Sequence, residues 1–311
     1  MHVAVVIVAF RNPEDVTQCL AALGRSTHAE FEVVICENAG RAAFETLVAA
    51  SPATLPEGQR VRILEAPFNL GYAGGVNHAM AAAPEADAWW VLNPDTEAEP
   101  DALEALVARL STGDCDAVGC TIYLPDENVQ SYGGLWRPAF ARAVSLGKGA
   151  PLNAAVDPGA VERTQSYLNG ACMLMGRQFL NLTGPMREDY FLYCEEVEWC
   201  LRGRALGATL GFAPAARVLH HAGTTTGSYR AIQSQPKTPV YLNERNKMLL
   251  TRDCFPALLP IAAVGALVLM IARYGRRQAW GQLGYAASGW VAGLLNRRGP
   301  PAWIDVRHPA S

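Results

Sequence analysis

The sequence predicts an α/β protein built on a mostly parallel sheet with helices on both faces. Three observations carry that prediction. Short β-rich runs alternate with stretches of helical periodicity through the first half of the chain, and the connections between them are short. The leading run is apolar throughout, as a strand covered on both faces requires. No internal repeat or low-complexity tract interrupts the pattern.

Val3–Ala9 is the first such run; with no charged leader before it and too few apolar residues for a signal segment, it reads as a buried strand. Pro13 and Glu14 open a helix that carries Val16, Cys19, Leu20 and Leu23 at helical spacing. Phe31–Cys36 follows as a strand, Arg41–Ala50 as a helix and Val61–Leu64 as a third strand. Tyr72–Ala83 is helical, Ala88–Leu92 is a strand, and Leu103, Leu106, Val107 and Leu110 mark another helix. From Leu124 to Ser166, glycines and prolines loosen the pattern into an excursion over the strand ends. Regularity returns with Tyr167–Met175, an acidic helix from Cys194 to Leu206, and strands at Thr209–Phe212 and Arg217–Leu219. A Thr/Ser/Gly loop beyond Gly223 leads to a helix near Val240–Arg252.

Composition narrows the function. The 311 residues carry a net charge of −3, which removes the broad basic field that nucleic-acid binding requires. Only 18% are charged, against about 25% in a typical soluble domain, so some surface is expected to be hidden elsewhere. The eight cysteines form no C-x-x-C pair and mostly sit in apolar runs; a reducing cytosol fits better than a zinc or disulfide framework.

The tail differs from the rest. Phe255–Ala272 is 18 residues without a charge and Gln278–Asn296 is 19 more, separated by Arg273, Arg276 and Arg277 and closed by Arg297 and Arg298. Eighteen helical residues reach roughly 27 Å, just short of the hydrocarbon core of a bilayer. With Trp280, Tyr285 and Trp290, the arginines fit an anchor lying on the anionic inner face of the plasma membrane. Three other readings stay open: apolar helices packed on the globular part, a homo-oligomer joined through Gly289-x-x-x-Gly293, or a helix that spans the bilayer.

In open sheets of this kind, ligands bind at the carboxyl ends of the strands. Phe10-Arg11-Asn12, Glu37-Asn38, Asn69 to Tyr72, and Asn93-Pro94-Asp95 stand at four such ends and should converge on one crevice. Asp95 offers hard oxygens to Mn²⁺ or Mg²⁺, although Asn-Pro-Asp is also an ordinary turn. The Gly-rich opening of the helix after Asn69 suits a diphosphate through its backbone N–H groups. It lacks G-x-G-x-x-G spacing, and the chain has no P-loop, H-E-x-x-H or G-x-S-x-G element. Glu195, Glu196 and Glu198 open the acidic helix; Glu198 can pair with Arg202, whereas Glu196 in a partly dry site could act as a general base. His220-His221 ends a strand and either imidazole could complete a cation site with Asp95.

The ordered set VVIVAFRN, CENAG, NLGYAGGVN, VLNPDT, YLNGACML, YFLYCEEVEWCLRGRALG, VLHHAGTTTG and YLNERNKMLL, from Val5 to Leu250, resembles the family 2 glycosyltransferases, in particular their bacterial rhamnosyltransferase-like branch. The resemblance implies a GT-A, Rossmann-like fold with a catalytic region over 1–225, its donor part about 1–124 and acceptor part about 125–225, before a helical region 226–311. It implies a divalent cation and inversion at the anomeric carbon. Matched by position, Asp95 holds the cation on the donor diphosphate, assisted by His220, with His221 as its competitor. Ala9, Phe10, Asn12, Asn69, Gly71, Asn77 and Asn93 fall on donor-binding positions. Glu37 stands where the family usually has Asp to read the pyrimidine. Glu196 falls on the catalytic base, again with Glu for the usual Asp, which moves the carboxylate outward by one carbon. Gly170, Ala171, Glu195 and Trp199 lie on the acceptor side, and Arg245-Asn246 matches a late motif of no derivable role.

The expectation is a membrane-peripheral, cytoplasmic transferase that moves a sugar, plausibly rhamnose, from a dTDP- or UDP-linked donor to a glycan or lipid-linked saccharide. A sugar-phosphate nucleotidyltransferase is the enzymatic alternative, although Ala9-Phe10-Arg11-Asn12 lacks the glycine such an enzyme usually carries there. A binding or scaffold protein without turnover is the other.

Overall fold

A computed structural model describes residues 1–222, 227 and 230–307. The first half alternates as the sequence predicts: β1 (Val3–Ala9), α1 (Pro13–Leu23), β2 (Phe31–Glu37), α2 (Arg41–Ala50), β3 (Val61–Glu65), α3 (Gly71–Ala81) and β4 (Ala88–Leu92). Next come β5 (Thr96–Ala98), α4 (Ala102–Leu110), β6 (Ala117–Tyr123), β7 (Val129–Ser131), β8 (Gly134–Arg137), β9 (Arg142–Ser145) and α5 (Pro158–Thr164). The remainder is β10 (Cys172–Gly176), α6 (Arg177–Thr183), α7 (Glu195–Ala205), β11 (Leu210–His220), α8 (Lys237–Cys254), α9 (Leu259–Gly275) and α10 (Trp280–Leu294).

The main sheet runs β3-β2-β1-β4-β10-β6-β11-β5, with β7 added beside β6. Its β3-β2-β1-β4 half and the β6–β11 pair are parallel, as helical crossovers demand. β10 runs antiparallel to both β4 and β6, and β5 antiparallel to β11. Alternation along β1 feeds two cores. Val3, Val5 and Ile7 pack with α1 and α4 residues such as Leu20 and Leu106 on one face. Ala4 and Val6 pack with Val76, Trp89 and Trp199 on the other.

Two departures from the sequence reading have simple causes. Thr209–Phe212 and Arg217–Leu219 belong to one strand, β11, whose pairing with β6 shifts between Ala213 and Arg217. Pro214 lacks the amide that regular pairing needs, so the strand bulges there and resumes. β6 also escapes the sequence reading because Gly119 interrupts its pattern; a Cβ there would stand 3.0 Å from Leu168 Cδ2.

The helical tail is built into the molecule. α8 packs on α7, and α10 lies along α8 so closely that a Cβ on Gly289 or Gly293 would meet the carbonyl oxygen of Tyr241 or Arg245 at 2.2 and 2.4 Å. The expected oligomer seam through Gly289-x-x-x-Gly293 is therefore corrected: α8 of the same chain fills it. α9 buries a narrow stripe, Ala262, Ala266, Met270 and Tyr274, and exposes the aliphatic Ile261, Val264, Val268 and Ile271. Residues Pro256–Gly275 form the one helix among the described residues long and apolar enough to cross a membrane.

Candidate active site

The carboxyl ends of β1, β2 and β4 do meet, and side chains tie them together. Asn38, after β2, donates from its main chain to Ala9 O at 2.9 Å and from Nδ2 to Gly71 O at 2.6 Å. Its Oδ1 accepts from Leu70 N at 3.1 Å. Glu37 is buried, which pushes its carboxyl up from the usual range, while the main-chain amides of Ala39 and Arg11 oppose that rise. Those amides reach Glu37 Oε1 at 2.8 and 3.4 Å. Asn12 accepts from Phe10 N at 2.9 Å and so shapes the turn after β1, leaving the Phe10 ring at the surface.

Asn93, Pro94 and Asp95 form the turn between β4 and β5. Asn93 N donates to Ala171 O at 3.0 Å and Thr96 Oγ1 to Asn93 O at 2.7 Å, which fixes the turn. Antiparallel pairing of β5 with β11 then sets His220 opposite Thr96. The result is His220 Nε2 at 3.3 Å from Asp95 Oδ1. His220 Nδ1 lies 2.8 Å from Gln130 Oε1 on β7. Side chains alternate between faces at the end of a strand, so His221 turns away and its Nε2 meets Glu97 Oε1 at 2.9 Å.

α7 supplies the carboxylates. Glu198 pairs with Arg202 at 2.8 Å, the helical spacing anticipated for it. Glu195 is buried with its Oε2 unpartnered; burial and the neighbouring Glu196 push its carboxyl well above the ordinary range. Glu196 is half-buried and raised by burial, and it rests against Gly170, where a Cβ would approach its Cγ to 3.2 Å. Tyr72 links the two halves. Its hydroxyl lies 2.7 Å from Gly170 O and 3.2 Å from Asn93 Oδ1. Burial, followed by the charges of Glu195, Glu196 and Asp95, holds the phenol well above its usual value, so it stays a donor.

A carboxylate and an imidazole side by side suit Mn²⁺ or Mg²⁺, and Gln130 on the far nitrogen of His220 fixes the ring as ligand imidazoles usually are. No group of three His, Cys, Asp or Glu in metal-binding arrangement occurs among the described residues. Asp95 and His220 are the side chains that would hold such a cation.

Residues 4–176 match the model for Glycosyl transferase family 2, more than half of the chain. The chain belongs to that family. It is 28% identical over 245 residues to the N-acetylglucosaminyl-diphospho-decaprenol L-rhamnosyltransferase of Mycobacterium tuberculosis, covering 72% of this chain and 77% of the relative. Its fold resembles GalNAc-T7, solved with UDP, GalNAc and Mn²⁺, at a TM-score of 0.61 and 15% identity over 81% of this chain and 48% of that one, so it spans about half of the solved chain. It also resembles a mannosyltransferase of Pyrobaculum calidifontis bound to GDP-Man and Mn²⁺, at a TM-score of 0.54 and 14% identity over 95% and 88% of the two chains. The fold of this glycosyltransferase is GT-A.

Several site expectations need correction in this glycosyltransferase. Asn77 is not at the donor crevice: its amide holds Met186 O and Glu188 Oε1, both at 2.9 Å, and accepts from Met186 N, which ties α3 to the segment before α7. Trp199 is wholly buried, edge-on to Phe179, with its indole N–H on Gly184 O, so no acceptor reaches it. The Gly-rich helix start is not an open diphosphate seat. Gly71 N is taken by Asn69 Oδ1 and Tyr72 N by Phe191 O. Its glycines serve close packing instead, since a Cβ on Gly75 would lie 2.7 Å from Val8 Cγ1. Ala171 contributes its main chain alone. The loop beyond Gly223 lies partly outside the described residues.

Gln130 was missed in sequence, and Tyr72 was placed at a strand end there without a role of its own. Tyr72 sits inside NLGYAGGVN, where a lone aromatic beside glycines was the available signal; Gln130 lies in the irregular excursion and gave none.

Proposed function

We propose that this glycosyltransferase is cation-dependent and inverting, taking a hexose, with rhamnose the leading candidate, from a dTDP- or UDP-linked donor to a hydroxyl of a lipid-linked saccharide. One observation carries the reading: the Tyr72 hydroxyl bridges Asn93 Oδ1, two residues before Asp95 and its partner His220, and Gly170 O, against which Glu196 rests. Asp95 and His220 would hold Mn²⁺ or Mg²⁺, which neutralises the charge that develops on a departing diphosphate. Glu196, its carboxyl made more basic by burial, takes the proton from the incoming hydroxyl. Gly170 leaves room beside it for that hydroxyl. A single base serves a direct displacement, which inverts the anomeric centre; a glycosidase needs two carboxyl groups spaced across the bond. The mycobacterial relative is named for rhamnosyl transfer to a diphospho-decaprenol acceptor, which supports both the sugar and the lipid.

The enzyme is further proposed to work at the inner face of the plasma membrane. Ile261, Val264, Val268 and Ile271 make an aliphatic stripe facing outward, and exposed Arg273, Arg276 and Arg277 follow at its end, a pairing suited to acyl chains beneath anionic headgroups. Flotation with anionic and neutral liposomes tests this: anionic vesicles should carry the protein, and Val264→Glu/Val268→Glu should leave it in the pellet. Protein that stays behind with both vesicle types would refute it.

The reaction is tested by incubating the protein with Mn²⁺, a panel of dTDP- and UDP-sugars and a polyprenyl-diphosphate N-acetylglucosamine acceptor, then reading the anomeric configuration of the product by NMR. Inverted product supports the reading. Retained configuration, or nucleotide triphosphate-dependent release of pyrophosphate instead, contradicts it.

A further inference from the structure

Arg245 and Asn246 lie wholly inside α8, and nothing in the reaction so far uses them. Buried polar groups of this size need partners, and theirs are informative. Asn246 Nδ2 stands 3.0, 2.8 and 2.7 Å from the carbonyl oxygens of Tyr190, Leu192 and Tyr193. Arg245 Nη2 donates to Tyr190 O at 2.8 Å, and its Nε donates to Asn246 Oδ1 at 2.8 Å. That last bond fixes the amide orientation; a flipped amide would aim oxygen at three carbonyls.

The clamped loop is strained. Phe191, Tyr193 and Cys194 have φ of 67°, 74° and 68°, a region that non-glycine residues occupy only when their surroundings enforce it. The loop leads in two directions. Phe191 O accepts from Tyr72 N at 2.7 Å and stands 2.2 Å from where a Cβ on Gly71 would be. Cys194 caps α7, whose first two residues are Glu195 and Glu196.

We infer that Asn246, oriented by Arg245, is a positioning residue: by holding loop 190–194 in its left-handed conformation it sets Glu196 and the Gly71–Tyr72 turn in a common register. The base and the donor-side tyrosine are then adjusted together. α10 backs the clamp, because Gly293 lets it press against the Arg245 carbonyl. This inference rests on Glu196 being the base.

The test compares wild type with Asn246→Ala, Arg245→Lys and Asn246→Ala/Cys194→Gly. Readouts are kcat per folded molecule, the pH dependence of kcat, and calorimetric binding of dTDP with Mn²⁺. Asn246→Ala should lower kcat at least tenfold, displace the acidic limb of the pH profile, and weaken dTDP at least threefold. Glycine at position 194 adopts positive φ freely, so the double variant should regain at least a third of the lost kcat. If Asn246→Ala does not fold, Arg245→Lys is read the same way and should show the same displacement to a smaller degree. Variants that lose only folded fraction, with wild-type kcat, pH profile and dTDP affinity per folded molecule, would overturn the inference. An inactive wild type would instead sink the proposed reaction, while the dTDP measurement would still report on the clamp.

Discussion

His220 Nε2 lies 3.3 Å from Asp95 Oδ1, whereas His221, one residue later, is turned to Glu97. The difference follows from strand alternation at the end of β11, and it separates His220 from the neighbour that competed with it in the sequence. His220→Ala should lower Mn²⁺-dependent turnover by tenfold or more and raise the Mn²⁺ concentration needed for half-maximal rate. His221→Ala should change either by less than threefold. A metal titration of initial rates checks both; equal losses would mean that the pairing at Asp95 does not select the ligand.

In the proposed reaction Glu196 takes the acceptor proton, so Glu196→Gln should reduce kcat by about 10²–10⁴ with dTDP binding retained. Its carboxyl is raised by burial, so the acidic limb of the wild-type pH–rate profile should fall above pH 4.5, the ordinary value for that side chain. The residual rate of Glu196→Gln should have lost that limb.

Glu195 predicts a stability effect of the opposite kind. Its folded-state carboxyl is raised well above 4.5 by burial, so the folded protein holds its proton longer than the unfolded chain. Below pH 4.5 both states are protonated and no penalty exists. As pH rises from there through the folded-state value, stability is lost, and it stays lost above. Glu195→Gln removes that penalty and should stabilise by about 1–3 kcal/mol at pH 8, with little effect near pH 4. Thermal denaturation at the two pH values measures it.

Gly71 meets the loop before α7 through contact rather than charge. Its φ is +71° and a Cβ would fall 2.2 Å from Phe191 O. Gly71→Ala should therefore cost about 1–3 kcal/mol from conformation alone, with the clash added. Gly58→Ala offers a control, since φ is +90° there but nothing lies within 4 Å. Urea denaturation should show the larger loss at Gly71.

Much of this was legible in sequence, for identifiable reasons. Continuous apolar runs such as Val3–Ala9 announce strands covered on both faces, and polar residues just past them can only gather at one sheet edge. Asp95, Glu37 and Asn38 were found that way. Asn77 was misread because a positional match to the family does not reveal that its amide is consumed by Met186 and Glu188. Trp199 was misread because it follows the acidic opening of α7 while its own face of that helix points into the core. The clamp of Asn246 on loop 190–194 spans more than fifty residues and rests on backbone carbonyls, which leave no trace in side-chain pattern.

In the proposed reaction Asp95 grips a cation that in turn grips the donor diphosphate. Titration calorimetry of dTDP into wild type and Asp95→Ala, each with and without Mn²⁺, tests it most directly. Mn²⁺ should tighten dTDP binding to the wild type by at least tenfold and do nothing for Asp95→Ala. Equal Mn²⁺ enhancement in both proteins would contradict it.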